Sequence, residues 1–310
     1  MFTLRNRWAL ALSATILATL TAPSLPAQDQ GAAAQSAGAP PPPAGSVGGL
    51  GDVNLFPKRV VIDGRRQIAQ IGLYNKTANE GDYEIRLVDM AMNAEGRLVA
   101  FDNGLSEADK ARVATASEYL RYSPRRVTLR GGESQLVRVM VRTPPDLPAG
   151  EYRSHFLVSS VPEDMGGLSV EGALGGQQAN GIGVTIRPRF GISIPVIVRI
   201  GETTLNVGIS DPKIVPTPDG GRAIAFTISR SGTRSAFGDV TIESSAFGKP
   251  IGLSRGIGIY PEVGERRVII PLEDEVPASA IASGTRIRIT YVDDDFKPGT
   301  QLAELSFAVR

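Results

Sequence analysis

Residues 182–199 read IGVTIRPRFGISIPVIVR and alternate between apolar side chains and mostly small or charged ones. Because successive side chains of a β-strand point to opposite faces, this alternation predicts one long strand with an apolar stripe. The usual strand has about 5–6 residues. The stripe consists of Ile182, Val184, Ile186, Pro188, Phe190, Ile192, Ile194, Val196 and Val198. The pattern fits either a core strand after a long hairpin loop or an exposed strand that holds the strand of another protein.

The N-terminus has the layout of a secretory signal peptide. Arg5 and Arg7 precede an uncharged apolar run, and small residues then lead to Ala27. The run of about 15 apolar residues is shorter than the roughly 20 that a membrane-spanning helix needs. We therefore predict export, with residues 1–27 as the signal peptide. Residues 28–51 are rich in Ala, Gly and Pro, which predicts a disordered lead segment.

Charge and cysteine content argue against several classes of function. Without the two arginines of the signal peptide, the 33 basic residues fall to 31 and face 32 acidic ones. A chain so balanced has no positive field to attract nucleic acid. It also has no cysteine, so its domains must be stabilised by apolar burial rather than by disulfides. No segment after the signal peptide is apolar enough to predict membrane insertion.

Short strands separated by turn residues dominate the rest of the chain. A helix is predicted only over residues 106–116, with Ser106 as its N-cap and Asp109 in its first turn. We predict an all-β fold of two immunoglobulin-like β-sandwich domains, residues 52–200 and 201–310, arranged at an angle with a cleft between them. The predicted strands are 59–62, 67–74, 81–90, 126–129, 135–142, 152–161 and 184–199, then 204–209, 222–229, 238–244, 256–260, 265–271, 285–291 and 301–309.

The residue types that enzymes need are scarce. The single histidine, His155, lies within a strand pattern, and no cysteine or second histidine is present to build a zinc site or a catalytic dyad. We therefore interpret His155 as a sheet-face residue and predict that the protein is not an enzyme. The acidic run at residues 293–295 lacks the alternating carboxylates of a calcium loop, so we interpret it as a hairpin turn and predict no metal site.

Several segments, in order, resemble the periplasmic pilus chaperones of the chaperone–usher class. The first is KRVVIDGRRQIAQIGLYNKT from Lys58, followed by YSPRRVTLRGGESQL from Tyr122 and LPAGEYRSHFLVSSV from Leu147. Residues 186–199 resemble the last strand of the family's first domain, which ends at an arginine. FTISRSGTRSAFGDVTI and GTRIRITYVDDDFKPGTQLAELSF resemble segments of its second domain. The resemblance covers about residues 53–307.

The resemblance implies a mechanism based on strand donation. A pilus subunit is an incomplete sandwich, and the chaperone lends its last first-domain strand to fill the groove before delivery to an outer-membrane usher. Covering that edge protects the subunit from aggregation. The donor residues implied here are Ile182, Val184, Ile186, Phe190 and Ile192, and residues 165–181 would become ordered on binding. No cofactor is implied, and the expected location is the periplasm.

The resemblance also implies a basic anchor in the cleft for the C-terminal carboxylate of the subunit. Arg59 matches the family's arginine on the first strand, because the following VVID aligns without a gap. The family's second cation, a lysine on the last strand, is replaced by Pro195. Arg189 and Arg187 are the candidate substitutes, since a guanidinium binds a carboxylate as well as an ammonium does.

Two features keep an alternative open. The cleft lysine is missing, and Pro188 interrupts the stripe with a residue that has no N–H for a ladder bond. The alternative is an exported immunoglobulin-like structural or adhesive protein that keeps the fold without strand donation. An exposed apolar edge would also favour a dimer in which each copy covers the edge of the other.

Overall fold

The computed structural model describes residues 52–161 and 189–310, and these residues form an almost purely β structure, which confirms the predicted fold class. The strands are β1 (Val53–Phe56), β2 (Val60–Asp63), β3 (Arg66–Asn75), β4 (Gly81–Val88), β5 (Met90–Met92), β6 (Leu98–Ala100), β7 (Leu120–Ser123), β8 (Arg126–Leu129), β9 (Ser134–Arg142), β10 (Gly150–Val161), β11 (Gly191–Ile200), β12 (Leu205–Pro216), β13 (Arg222–Gly232), β14 (Ala236–Ser244), β15 (Pro250–Ile259), β16 (Glu265–Pro271), β17 (Arg286–Asp293) and β18 (Gln301–Ala308).

The first sandwich consists of two sheets with strand orders β1-β3-β9-β7 and β2-β11-β10-β4-β8. Alternate residues of each strand face the space between the sheets. In β9 the valines at 137, 139 and 141 are buried, and in β10 Phe156 and Val158 are fully buried. These side chains form one apolar core together with Ile194, Val196 and Val198 of β11. The even positions of β11 therefore face the core of its own sandwich.

The second sandwich consists of sheets with orders β12-β13-β16 and β15-β14-β17-β18. Its core includes Ile228 of β13, Ile242 of β14, and Ile289 and Tyr291 of β17. Gly201 connects β11 to this sandwich in a left-handed conformation with φ of 64°, where glycine has no steric penalty. Both sandwiches belong to one compact unit. The division into domains at residue 201 stays a prediction.

The segment between β4 and β7 differs most from expectation. It contains the hairpin β5–β6 and the short helix α1 (Glu107–Ala111), where the predicted helix ran to residue 116. Ser106 is its N-cap, as predicted, and accepts a hydrogen bond from the N–H of Asp109 at 3.2 Å. The chain beyond α1 pairs with β10 instead, since the N–H of Arg153 donates to the Ala114 carbonyl oxygen at 2.8 Å.

Several predicted features lie outside the described residues. They are the signal peptide, the lead segment 28–51, the segment 165–181, and the side chains of Ile182, Val184, Ile186, Arg187 and Pro188. Within residues 52–161 and 189–310, no helix is long and apolar enough to cross a membrane.

Candidate functional site: the open edge of β11 and the junction of the two sandwiches

Strand β11 has neighbours on both sides over only part of its length. Its whole length pairs antiparallel with β10, from Gly191 opposite Ser159 to Ile200 opposite Gly150. On its other side, the short parallel strand β2 pairs with Val196–Arg199. Among the described residues, no strand pairs with the outer side of residues 191–195, which we call the open edge.

Backbone hydrogen bonds show which groups face this edge. The N–H of Ser160 donates to the Phe190 carbonyl oxygen at 2.9 Å, and the N–H of Gly64 donates to the Arg199 carbonyl oxygen at 2.9 Å. Because the backbone groups of successive residues in a strand point to alternate sides, the even residues of β11 bond to β10. The N–H groups of Gly191 and Ser193 therefore point toward the open edge. Pro195 shares this side, where its missing N–H removes no bond to β10.

The side chains of the predicted donor residues change from exposed to buried along the strand. Phe190, just before β11, is 41% exposed. Ile192 is half-buried and packs against the core of the first sandwich, and Ile194 belongs fully to that core. Of the two described donor candidates, Phe190 thus offers more apolar surface to a partner than Ile192.

Arg59 lies where β1 leads into β2, at the junction with the second sandwich. Its guanidinium donates to the Asp294 carboxylate and, at 2.9 Å, to the Asp294 carbonyl oxygen. It lies 3.4 Å from a carboxylate oxygen of Asp295 and stacks over the Phe237 ring at 4.3 Å from the centroid. The side chain is only 9% exposed. Arg59 therefore lies at the junction of the two sandwiches and already holds a carboxylate of the same chain.

Arg189 lies elsewhere. Its guanidinium donates to the Ser160 carbonyl oxygen at 3.0 Å and to the Glu84 carboxylate at 2.6 Å. Arg59 precedes Val60, which lies beside Val196 of β11. Arg189 lies six residues before Pro195 in the sequence, and six residues of extended chain span about 20 Å. The structure therefore does not bring Arg59 and Arg189 together as a two-point anchor.

A second charged cluster connects the sandwiches beside Arg59. The Arg199 guanidinium donates to Glu151 at 3.1 Å and to Asp295. Glu151 also accepts hydrogen bonds from the N–H, at 3.2 Å, and the hydroxyl of Ser235. Burial lowers the pKa of the Arg199 guanidinium, but the bond to Asp295 and the two carboxylate charges raise it overall above its ordinary value. Arg199 therefore connects the two sandwiches through its ion pairs with Glu151 and Asp295.

The junction also contains a buried aromatic and ionic layer. Arg153 of β10 makes two hydrogen bonds to the Glu262 carboxylate, at 2.8 and 3.2 Å, and stacks over Tyr260 at 3.5 Å. Tyr260 packs edge-on against Phe237 and against His155. His155 faces the second sandwich from the outer side of its sheet. Burial, with a smaller contribution from the Arg153 charge, lowers the pKa of His155 to about 3.

Several residues at the junction were missed by the sequence analysis. The run at 293–295 lies at the end of β17 and in the turn that follows it, in agreement with its interpretation as a hairpin turn, but the sequence did not predict its partners. Asp294 contacts both Lys58 and Arg59, and Asp295 contacts Arg199. The sequence contains both groups, a Lys-Arg pair and a run of three acids at a predicted turn. No local pattern connects them, because Arg59 and Asp294 are 235 positions apart.

The fold and the open edge define a two-sandwich β protein with an incompletely paired strand at the junction. Solved structures that match it are pilus and fimbrial chaperones, the class that the sequence motifs resemble. They include the YadV chaperone, with 13% identity, a TM-score of 0.43 and coverage of 83% of this chain and 100% of that one. The CsuC–CsuE chaperone–tip adhesion subunit complex of the archaic Csu pili of Acinetobacter baumannii matches with 13% identity, a TM-score of 0.40 and coverage of 81% and 96%.

A structure of the Salmonella enterica SafA pilin in complex with the SafB chaperone matches with 12% identity, a TM-score of 0.39 and coverage of 84% and 98%. No family model and no curated protein sequence matches the chain.

Proposed function

We propose that this chain is a periplasmic, non-enzymatic chaperone that holds pilus subunits by strand donation and delivers them to an outer-membrane usher. The observation that carries the proposal is the open edge of β11. There the N–H groups of Gly191 and Ser193 face away from β10, and Phe190 exposes its ring beside them. An added strand would gain ladder hydrogen bonds at this edge, and apolar side chains would fill the groove of the subunit.

The donor surface would begin at Phe190 and continue toward Ile186, Val184 and Ile182, which precede it in the same alternation. Ile192 would contribute less, because it already packs on the core of its own sandwich. Arg59 would bind the C-terminal carboxylate of the subunit at the junction. Arg189 is not part of this proposed anchor, since six residues of extended chain, about 20 Å, separate it from Pro195, near which Arg59 lies.

One observation favours the alternative, an exported structural or adhesive protein. The Arg59 guanidinium is already paired with Asp294, so it serves as a connection between the sandwiches in the free protein. In a protein that binds no carboxylate ligand, this connection between the sandwiches would be the whole role of Arg59. The two functions differ in what happens at the open edge when a subunit is present.

Co-purification with a candidate pilus subunit tests the proposal. Phe190→Asp should lower the amount of captured subunit by at least about tenfold, since burying a Phe side chain contributes about 1.5–3 kcal/mol. The matched control is Leu253→Asp, because Leu253 of β15 is 43% exposed and Phe190 is 41% exposed. Capture of the subunit by Leu253→Asp should equal capture by the wild type.

The thermal midpoints of both variants should stay close to the wild-type value, because both side chains lie at the surface. If Phe190→Asp captures the subunit as well as the wild type does, strand donation by this segment is wrong. If both variants lose capture equally, the loss reflects added charge rather than the open edge, which also contradicts the proposal.

A further inference from the structure

The carboxylate of Asp294 lies between two cations of the first sandwich. The Lys58 ammonium contacts one of its oxygens, and the Arg59 guanidinium contacts the other. An ammonium and a guanidinium that share one carboxylate can hold it by charge-assisted hydrogen bonds from two directions. We call Lys58 and Arg59 the carboxylate clamp.

The clamp is open to solvent at Lys58 and packed against other residues at Arg59. The Lys58 side chain is 48% exposed and that of Asp294 is 15% exposed, whereas the Arg59 side chain is 9% exposed. Arg59 has further contacts, since it stacks over Phe237 at 4.3 Å and lies 3.4 Å from Asp295. These contacts would keep the guanidinium in place after Asp294 had left.

Asp294 is not needed for the turn on which it lies. The neighbouring Asp293 carboxylate accepts hydrogen bonds from the N–H groups of Asp295 at 2.8 Å, Phe296 at 3.2 Å and Lys297 at 2.9 Å. Within the described part of the chain, the Asp294 carboxylate makes contacts to Lys58 and Arg59 only. Its side chain can therefore rotate out of the clamp while the turn between β17 and β18 stays folded.

We infer that Asp294 occupies the clamp as an internal substitute for an incoming carboxylate, and that the C-terminal carboxylate of a bound subunit displaces it. This inference rests on the proposed function, which supplies the incoming strand. Lys58 then provides the ammonium that is missing at Pro195. Asp294 fills the space between the Lys58 ammonium and the Arg59 guanidinium, so an incoming carboxylate can enter this space only when Asp294 leaves it.

The internal carboxylate also explains how the site would select its ligand. A tethered group competes at a high effective concentration, of the order of millimolar or more. A small free carboxylate would therefore lose the competition. A chain end that also pairs with the open edge of β11 would gain ladder bonds beyond the carboxylate contact, so only such a chain would displace Asp294.

The test uses a labelled seven-residue peptide of alternating Val and Thr, prepared with a free C-terminal carboxylate and as the C-terminal amide. Asp294→Asn should bind the acid peptide at least about tenfold more tightly than the wild type does, because the competitor is neutral. The amide peptide should bind both proteins equally. Adding Lys58→Ala to Asp294→Asn should remove most of the gain. The control Asp274→Asn makes the same charge change at an exposed site after β16 and should change neither affinity.

A second readout uses the unmodified protein. The acid peptide, and not the amide, should shift the NMR resonance of the Arg59 Nε–H group. Equal binding of acid and amide by wild type and Asp294→Asn would leave strand addition standing and overturn the clamp. If the acid peptide binds and the Arg59 Nε–H resonance does not shift, the clamp inference is also wrong. If neither peptide binds any variant, the proposed function fails and the clamp inference fails with it.

Discussion

At the scale of single residues, His155 shows how the junction uses a polar side chain. It is fully buried against Tyr260, and neither ring nitrogen has a hydrogen-bond partner within the described residues. Burial of an unpaired imidazole disfavours its charged form. His155 is therefore a neutral packing element between the sandwiches, in agreement with its interpretation as a sheet-face residue.

His155 should make stability depend on pH. Its pKa falls to about 3 in the folded protein and is about 6.5 when unfolded. Between these values the unfolded chain binds a proton that the folded chain does not, so the free energy of unfolding decreases as pH falls from 6.5 toward 3. The loss should be about 2 kcal/mol at pH 5 relative to pH 7.5, as measured by urea unfolding at both values.

The control is His155→Leu, which leaves no unpaired ring nitrogen in the junction. This variant should keep its stability at pH 7.5 and should lose the part of the pH dependence that lies between pH 5 and 6.5. If wild type and His155→Leu show the same pH dependence in this interval, the account of His155 is wrong.

At the scale of elements, three consecutive acids at the end of β17 and in the turn toward β18 have different roles. Asp293 is 5% exposed and holds the turn by accepting three backbone N–H groups, Asp294 occupies the clamp, and Asp295 pairs with Arg199. Three identical consecutive residues thus have different main partners, although Asp295 also lies 3.4 Å from Arg59.

Substitution should separate the first two roles. Asp293→Ala removes the acceptor of three N–H groups and should lower the free energy of unfolding by about 1–3 kcal/mol. Asp294→Ala removes none of the bonds within the turn and should cost less than Asp293→Ala. Urea unfolding of the two variants measures the difference, and equal losses would contradict this division of roles.

The sequence predicted those strands best whose two faces differ. Residues Arg126–Leu129 and Glu265–Pro271 match the expected bounds, and β9 differs by one residue, because each alternates between core and solvent. Of the strands with only three or four residues, β2 and β8 were predicted and β1, β5, β6 and β7 were missed, because so few residues show little alternation.

The candidate site was only partly predictable. The resemblance implied a place for Arg59 in the cleft, and the structure has Arg59 at the junction beside Asp294 and Phe237, while its role as an anchor stays a prediction. The pairing of Arg59 with Asp294 depends on how the two sandwiches pack against each other, which no local pattern encodes. For β11, periodicity predicted an apolar stripe, but the same stripe is exposed at Phe190 and buried at Ile194. The difference arises from where neighbouring strands end.

At the scale of the whole molecule, the two sandwiches are held together by a continuous junction. An apolar cluster of Ile197, Phe237 and Tyr260 lies between the charged groups of Arg59 and Arg153. Buried ion pairs contribute little net stability but are costly to break on one side only. The junction should therefore keep the open edge and the clamp in a fixed geometry.

Glu262→Ala tests this role of the junction. It leaves the Arg153 guanidinium, which is 3% exposed, buried without its carboxylate partner. We expect a loss of about 3–5 kcal/mol in the free energy of unfolding, measured by urea denaturation. A matched surface change is Glu243→Ala, which breaks the exposed pair with Arg288 and should cost less than about 1 kcal/mol. Similar losses for both would show that the Arg153–Glu262 pair does not hold the junction.

The central claim is that a partner strand adds to the outer side of residues 191–195, and amide hydrogen exchange tests it most directly. In the free protein, the N–H groups of Gly191 and Ser193 should exchange quickly, while that of Ile194, which faces β10, should exchange slowly. On addition of a pilus subunit, exchange at Gly191 and Ser193 should slow by at least about tenfold, with little change at Ile194. A subunit complex that forms while Gly191 and Ser193 keep their fast exchange would contradict the account.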